Sequence, residues 1–132
     1  MVTYLWIALG GAIGSVARFA CSSLIANWFG QTFPWGTLLV NVSGSFVIGF
    51  FSTLTGPDGR VMVAGDIRQF VTVGICGGYT TFSSFSLQTL SLVQDGELMQ
   101  AGWNIVGSVA LCLAAVWLGH AAAAALNLAR GS

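Results

Sequence analysis

The chain has 132 residues, of which 55% are hydrophobic and only 6% are charged, and its formal net charge is zero. About a quarter of the residues of an ordinary soluble domain are charged, so the composition excludes a water-solvated domain and indicates a membrane protein. The chain has no lysine and no basic cluster, which excludes nucleic acid as a partner and disfavours anionic lipid headgroups.

Four long apolar segments predict an all-α integral membrane protein with one membrane domain over residues 1–132. The helices are expected at about residues 3–27, 36–55, 68–93 and 98–128, and about 20 residues suffice to cross a bilayer core. The first apolar run has no basic residue ahead of it and outlasts a signal-peptide core, so we expect it to be retained as a helix. The activity should therefore lie within the membrane.

Arg18 is the only charge deep within a predicted span, in the first helix. Burying a cation in a bilayer core costs at least a few kcal/mol, which makes Arg18 a candidate functional residue. It either raises the anion concentration in a vestibule, binds loop carbonyls, or extends to the membrane interface.

Asn41 and Ser45 share one face of the second predicted helix. An amide in uncharged membrane sequence is costly unless it meets a partner or a ligand. Asn41 is therefore expected to make either an ion contact or an interhelical hydrogen bond.

The third predicted helix contains Gly77-Gly78-Tyr79-Thr80-Thr81 close to its middle. Glycine and threonine sustain a helix poorly, which predicts an unwound segment at mid-membrane. Such a segment must be buried in protein or line a polar cavity. Its free carbonyls suit a cation, and the N-terminus of the next half-helix suits an anion; the alternative is a simple glycine kink.

Aromatic and hydroxyl side chains alternate after this segment. Phe82 and Phe85 fall on one helical stripe, and Thr81, Ser84 and Gln88 fall on the adjacent one. Phenyl rings have a positive edge, so two edge-on rings could solvate a small anion without a fixed countercharge. The alternative is that the two rings only pack.

Polar residues recur at spacing four in the last predicted helix, at Asn104, Ser108 and Cys112. This stripe predicts a ladder of donors facing a pore and weakening at Cys112, because a thiol donates poorly.

The three cysteines lie in apolar runs without paired spacing, so they predict neither a disulfide nor a metal site. His120 has no acidic neighbour and is expected to pack or to lie at an interface.

Several function classes are disfavoured by what the spanning segments lack. They contain no central carboxylate, which disfavours proton-coupled export and favours passive conduction. They contain no nucleophile with a base, so the chain is not expected to be an enzyme.

Four helices enclose a pore poorly, which favours a homo-oligomer, most often of two-fold symmetry. Arg60, Arg68 and Arg130 lie on the side of the termini, which favours cytoplasmic termini.

Three sequence blocks resemble the fluoride channels of the Fluc or CrcB family: GGAIGSVAR at 10–18, GTLLVN at 36–41 and GICGGYTTFSSF at 74–85. The resemblance covers essentially the whole chain. It implies a dual-topology homodimer of antiparallel subunits in a bacterial inner membrane, with two fluoride pathways along the interface. The implied role is passive conduction that lowers cytoplasmic fluoride and its toxicity.

The resemblance also implies roles for individual residues. A structural sodium ion, bound but not transported, would be held at the centre by the backbone carbonyls of Gly77 and Thr80 from both subunits. By motif position, Phe82 and Phe85 match the ring-edge fluoride ligands, Asn41 the pore amide and Ser108 a pore hydroxyl. Thr81 and Ser84 would belong to the polar track of the same pathway. Arg18 matches the arginine of helix one, in a vestibule or a structural role.

The sequence departs from the family pattern at three positions. Asn104 stands where a tyrosine is frequent, Cys112 where a hydroxyl residue is frequent, and Gln88 where a glutamate is frequent. Two other readings stay open. A small multidrug exporter should carry a carboxylate in helix one, which is absent here, and a non-transporting helical subunit would be unaffected by Phe82→Ala.

Overall fold

The computed structural model describes residues 1–130, and this part of the chain consists of helices and turns without strands. Six α-helices and one π-helix follow each other in the order α1 (Val2–Phe29), α2 (Trp35–Leu54), α3 (Gly65–Gln69), the π-helix (Phe70–Cys76), α4 (Gly77–Tyr79), α5 (Phe82–Gln94) and α6 (Leu98–Arg130).

Three helices are long and apolar enough to cross a membrane, and they correspond to the first, second and fourth predicted spans: Val2–Phe29, Trp35–Leu54 and Leu98–Ala129. The third predicted span differs from the expected single element. Its helical structure starts at Gly65 and is divided among four pieces, none of which reaches spanning length alone. The helix starts early because Asp66 lies in its first turn, where a carboxylate is favourable.

Large apolar side chains point outward from this single chain. Phe19, Trp103 and Trp117 are among many that are exposed. The buried apolar residues are few and mostly small: Leu38, Val40, Cys76, Leu92, Ala101, Ala115 and Ala123. A soluble domain buries its large aliphatic side chains, so the outward faces are suited to lipid or to another protein surface.

Helix α1 packs against the π-helix and α4 through glycines spaced four apart. A Cβ at Gly74 would lie 2.9 Å from the Cα of Gly10, and a Cβ at Gly78 would lie 2.7 Å from the carbonyl oxygen of Gly11. Gly14 faces the carbonyl oxygen of Ile75 in the same way. Small residues let membrane helices approach this closely, so these glycines allow the close contact of α1 with the π-helix and α4.

Helices α2 and α6 run parallel and make the most extensive helix pair. Gly49 faces the carbonyl of Val116, and one turn further Gly119 faces the backbone of Phe46. At the end of the pair, Thr53 Oγ1 lies 2.7 Å from His120 Nδ1. The exposed His120 ring thus links α6 to α2 through this hydrogen bond.

Residues 65–79 form one continuous helical rod composed of α3, the π-helix and α4. Its start is anchored twice: Thr3 Oγ1 donates to Asp66 Oδ1 at 2.6 Å, and Arg68 Nη2 donates to the Ser52 carbonyl at 3.0 Å. Its end is held by α1, as described below. The rod thus places the start of α5 at a fixed point beside α1 and α2.

Candidate ion pathway

The helical rod ends at Tyr79, and α5 starts at Phe82 after two residues of extended backbone. Thr80 has φ −83° and ψ 159°, and Thr81 has φ −153° and ψ 119°. Thr80 closes the rod, since both its N–H and its Oγ1 donate to the Cys76 carbonyl, at 3.0 and 2.9 Å. Thr81 opens α5 as an N-cap, with Oγ1 accepting from Ser84 N–H at 3.1 Å.

The extended segment is shorter than the sequence predicted, because Gly77 and Gly78 remain helical. Gly78 fits directly against the backbone of α1, and its carbonyl accepts a hydrogen bond from Arg18 Nε at 3.0 Å. Gly44 of α2 leaves room for the Thr80 methyl group. Gly78 and Gly44 therefore serve close packing, and the threonines carry the change of direction.

Asn41 of α2 binds both backbone groups of Thr81. Its Nδ2 donates to the Thr81 carbonyl at 2.9 Å, and its Oδ1 accepts from Thr81 N–H at 2.7 Å. One side chain thus satisfies a donor and an acceptor that a helix would otherwise pair, as backbone within a membrane requires. The second Nδ2 proton of Asn41 is not used in this pairing and remains available as a donor.

The same bonds release two carbonyls from helical pairing. In a continuous helix, Thr81 N–H would donate to the Gly77 carbonyl and Ser84 N–H to the Thr80 carbonyl. Here these two N–H groups donate to Asn41 Oδ1 and Thr81 Oγ1 instead. Neutral carbonyl oxygens of this kind are ligands that a hard cation accepts.

A cavity of about 320 Å³ lies at this point, and every predicted pathway residue except Ser84 lines it. Phe82 and Phe85 form one wall, with ring centroids 5.4 Å apart and planes inclined by 49°. The full lining carries no charged side chain: Asn41, Gly44, Ser45, Ile48, Cys76, Gly77, Thr80, Thr81, Phe82, Phe85, Ser108, Val109 and Cys112.

A second cavity of about 620 Å³ lies between α1, the connection to α2, and α5. Arg18, Ser84 and Gln88 line it, and Thr81 lines both cavities. Arg18 and Ser84 therefore line a different cavity from Asn41 and the phenyl rings, and Thr81 lies between the two cavities. Thr37 is a buried polar residue that lines the larger cavity. Thr37 lies one helical turn before Asn41, but no feature of the sequence pattern had marked it as a candidate.

The polar stripe of α6 differs from the predicted ladder. Ser108 and Cys112 line the smaller cavity, but Asn104 does not. Asn104 is only 2% exposed; it donates to Thr89 Oγ1 at 2.9 Å and accepts from Ser108 Oγ at 3.3 Å. The reason is that α5 covers this part of α6 with Thr89, a partner that spacing along α6 does not reveal.

Comparison with known proteins identifies the family of the chain. Residues 5–120 match the family described as CrcB-like protein, Camphor Resistance (CrcB). A relative from Opitutus terrae is 64% identical over 132 residues, covering 100% of both chains, and bears the name fluoride-specific ion channel FluC.

Two further relatives carry the same name. The one from Rhodospirillum rubrum is 62% identical and is aligned over 96% of this chain and 98% of its own. The one from Paramagnetospirillum magneticum is 61% identical over 96% of this chain and 99% of its own. The chain therefore belongs to the CrcB-like family.

Proposed function

We propose that the chain is a multi-pass channel of the bacterial inner membrane that conducts fluoride passively and so lowers cytoplasmic fluoride. The observation that carries this is the uncharged cavity of about 320 Å³ that joins the Asn41 amide, two phenylalanine rings and the Ser108 hydroxyl. The names of the relatives point to the same ion.

The chemistry of this cavity suits a small, tightly hydrated anion. The free Nδ2 proton of Asn41 and nearby hydroxyl protons replace water donors, and the positive edges of Phe82 and Phe85 add attraction without a fixed charge. Several weak sites along a track let an ion enter and also leave. A full countercharge would hold the ion too tightly for conduction.

The pathway is completed by a second, antiparallel copy of the chain. Phe82 is 78% exposed in the single chain, so an anion beside its ring would otherwise meet lipid, which is costly. A two-fold partner encloses this surface and turns two open cavities into two pathways. Residues 65–94 then cross the membrane together, with Thr80 and Thr81 near the middle.

A structural sodium ion fits at the centre of this dimer. The Gly77 and Thr80 carbonyls are released from helical pairing by Asn41 and by the α5 cap. Two such carbonyls from each subunit give four neutral oxygens for a hard cation. Bound there, sodium supplies a static positive charge between the two pathways.

The test is ion flux from liposomes containing the purified protein, with fluoride compared with chloride in the presence and absence of sodium. We expect fluoride efflux, little chloride efflux and loss of flux without sodium. Equal flux of fluoride and chloride, or no fluoride flux, would overturn the proposed function. Fluoride flux independent of sodium would overturn only the sodium site.

A further inference from the structure

A chain of hydrogen bonds begins and ends at the lining of the smaller cavity. Ser108 Oγ lies 3.3 Å from Asn104 Oδ1, Asn104 Nδ2 lies 2.9 Å from Thr89 Oγ1, and Thr89 Oγ1 lies 2.8 Å from the Phe85 carbonyl. Ser108 and Phe85 line the cavity, whereas Asn104 does not. The chain therefore joins α6 to α5 behind the cavity wall.

The direction of every bond in this chain is fixed by its last acceptor. The Phe85 carbonyl can only accept, so Thr89 gives it its single proton and must accept from Asn104. The amide nitrogen of Asn104 therefore faces Thr89, and its oxygen faces Ser108. Ser108 then donates its single proton to Asn104. That proton points away from the cavity in this arrangement.

We propose that Asn104 is a positioning residue: it accepts the hydrogen bond of the Ser108 hydroxyl and loses this bond when fluoride enters the cavity. This inference rests on the proposed function. Asn104 is 2% exposed and does not line the cavity, so it acts on the ion only through Ser108.

The bond lengths indicate that the series of hydrogen bonds breaks first at Ser108. Its bond to Asn104, at 3.3 Å, is longer than usual for a hydroxyl donor, whereas the other two are 2.9 and 2.8 Å. A hydrogen bond to an anion is about twice as strong as one between neutral groups, so fluoride draws the hydroxyl proton away from the amide oxygen. The free energy of the broken Ser108–Asn104 bond lowers the affinity of the cavity for fluoride and so favours release of the ion.

The experiment is a two-residue mutant cycle on fluoride flux as a function of fluoride concentration. Four proteins are compared in liposomes: wild type, Asn104→Leu, Ser108→Ala and the double variant. Leucine removes the acceptor with little change in volume. We expect Asn104→Leu to lower the half-saturating fluoride concentration about fivefold, the worth of one neutral hydrogen bond of about 1 kcal/mol. Its maximal flux should fall because release slows.

The Ser108→Ala background distinguishes positioning from a structural role. If Asn104 acts through Ser108, Asn104→Leu should change neither the half-saturating fluoride concentration nor the maximal flux of the Ser108→Ala protein. An equal shift in both backgrounds, or a raised half-saturating concentration, overturns the inference while the proposed function stands. A wild-type protein without fluoride flux overturns both.

A second measurement avoids variants that fail to fold. Wild-type protein with nitrogen-15 asparagine is titrated with fluoride and with chloride, and the side-chain amide signal of Asn104 is followed by nuclear magnetic resonance. We expect fluoride alone to shift this signal, with the half-saturating concentration found by flux. No shift at saturating fluoride contradicts the inference.

Discussion

At the scale of single residues, Asn41 determines more of the site than its position in the cavity suggests. It pairs both backbone groups of Thr81 and so frees the carbonyl of Gly77. The two alternatives that the sequence left open, an interhelical hydrogen bond and an ion contact, do not exclude each other. The amide makes the first with two atoms and keeps one proton for the second.

Replacing Asn41 by leucine should therefore damage both stability and conduction. The N–H and C=O of Thr81 lose their partner, and each unpaired buried group costs about 1–3 kcal/mol. We expect a lower thermal unfolding midpoint in detergent and at least a tenfold loss of fluoride flux. Asn127→Leu is the matched control: the Asn127 side chain also bonds two backbone groups, Arg60 N–H and the Thr53 carbonyl, but it lines neither of the two cavities, so fluoride flux should persist. A comparable loss in the control would contradict this role.

Arg18 combines a structural bond with a position beside the larger cavity. Its Nε donates to the Gly78 carbonyl at 3.0 Å, and its side chain lines that cavity. We expect Arg18→Gln to reduce fluoride flux severalfold at low ionic strength, with a smaller reduction in 1 M salt, where the Debye length is about 3 Å. A reduction of the same size in both conditions would leave the bond to Gly78 as its only role.

At the scale of helices, the contact between α1 and the π-helix depends on glycine. A Cβ at Gly74 would lie 2.9 Å from the Cα of Gly10, which is backbone and cannot rotate away. Gly74→Ala should cost about 1–3 kcal/mol, as overpacking does, measured as a lower unfolding midpoint. Gly11→Ala is the control, since its Cβ would meet nothing within 4 Å. Equal effects of the two substitutions would show that this contact does not hold the helices together.

The sequence predicted the elements well wherever the signal was local. Length and apolarity placed α1, α2 and α6 within a few residues, and Thr80-Thr81 lay within the segment expected to unwind. Thr81, the partner of Asn41, lies 40 residues away along the chain, and Thr89, the partner of Asn104 on α5, lies 15 residues away. Spacing along one helix could not identify either of them. The π-helix was missed because Phe70–Cys76 contains no feature that separates it from an α-helix.

At the scale of the whole molecule, the proposed antiparallel dimer makes each loop appear on both sides of the membrane. Asp58 is exposed in the turn after α2, and Asp95 lies in the turn between α5 and α6. We expect Asp58→Cys and Asp95→Cys, in a chain without its native cysteines, each to be labelled about equally from both sides. Labelling of the two positions from opposite sides only would show a single orientation and contradict dual topology.

The π-helix within the 65–79 rod has a consequence for changes in chain length. Its wider turns hold one more residue than an α-helix does, between ends that Asp66 and Gly78 fix to α1. We expect the loss of one residue from Phe70–Cys76 to convert the π-helix to α-helix while both anchored ends keep their register. The same deletion in α2 rotates all that follows by about 100°. We therefore expect this chain to tolerate a one-residue deletion in the rod more readily than one in α2.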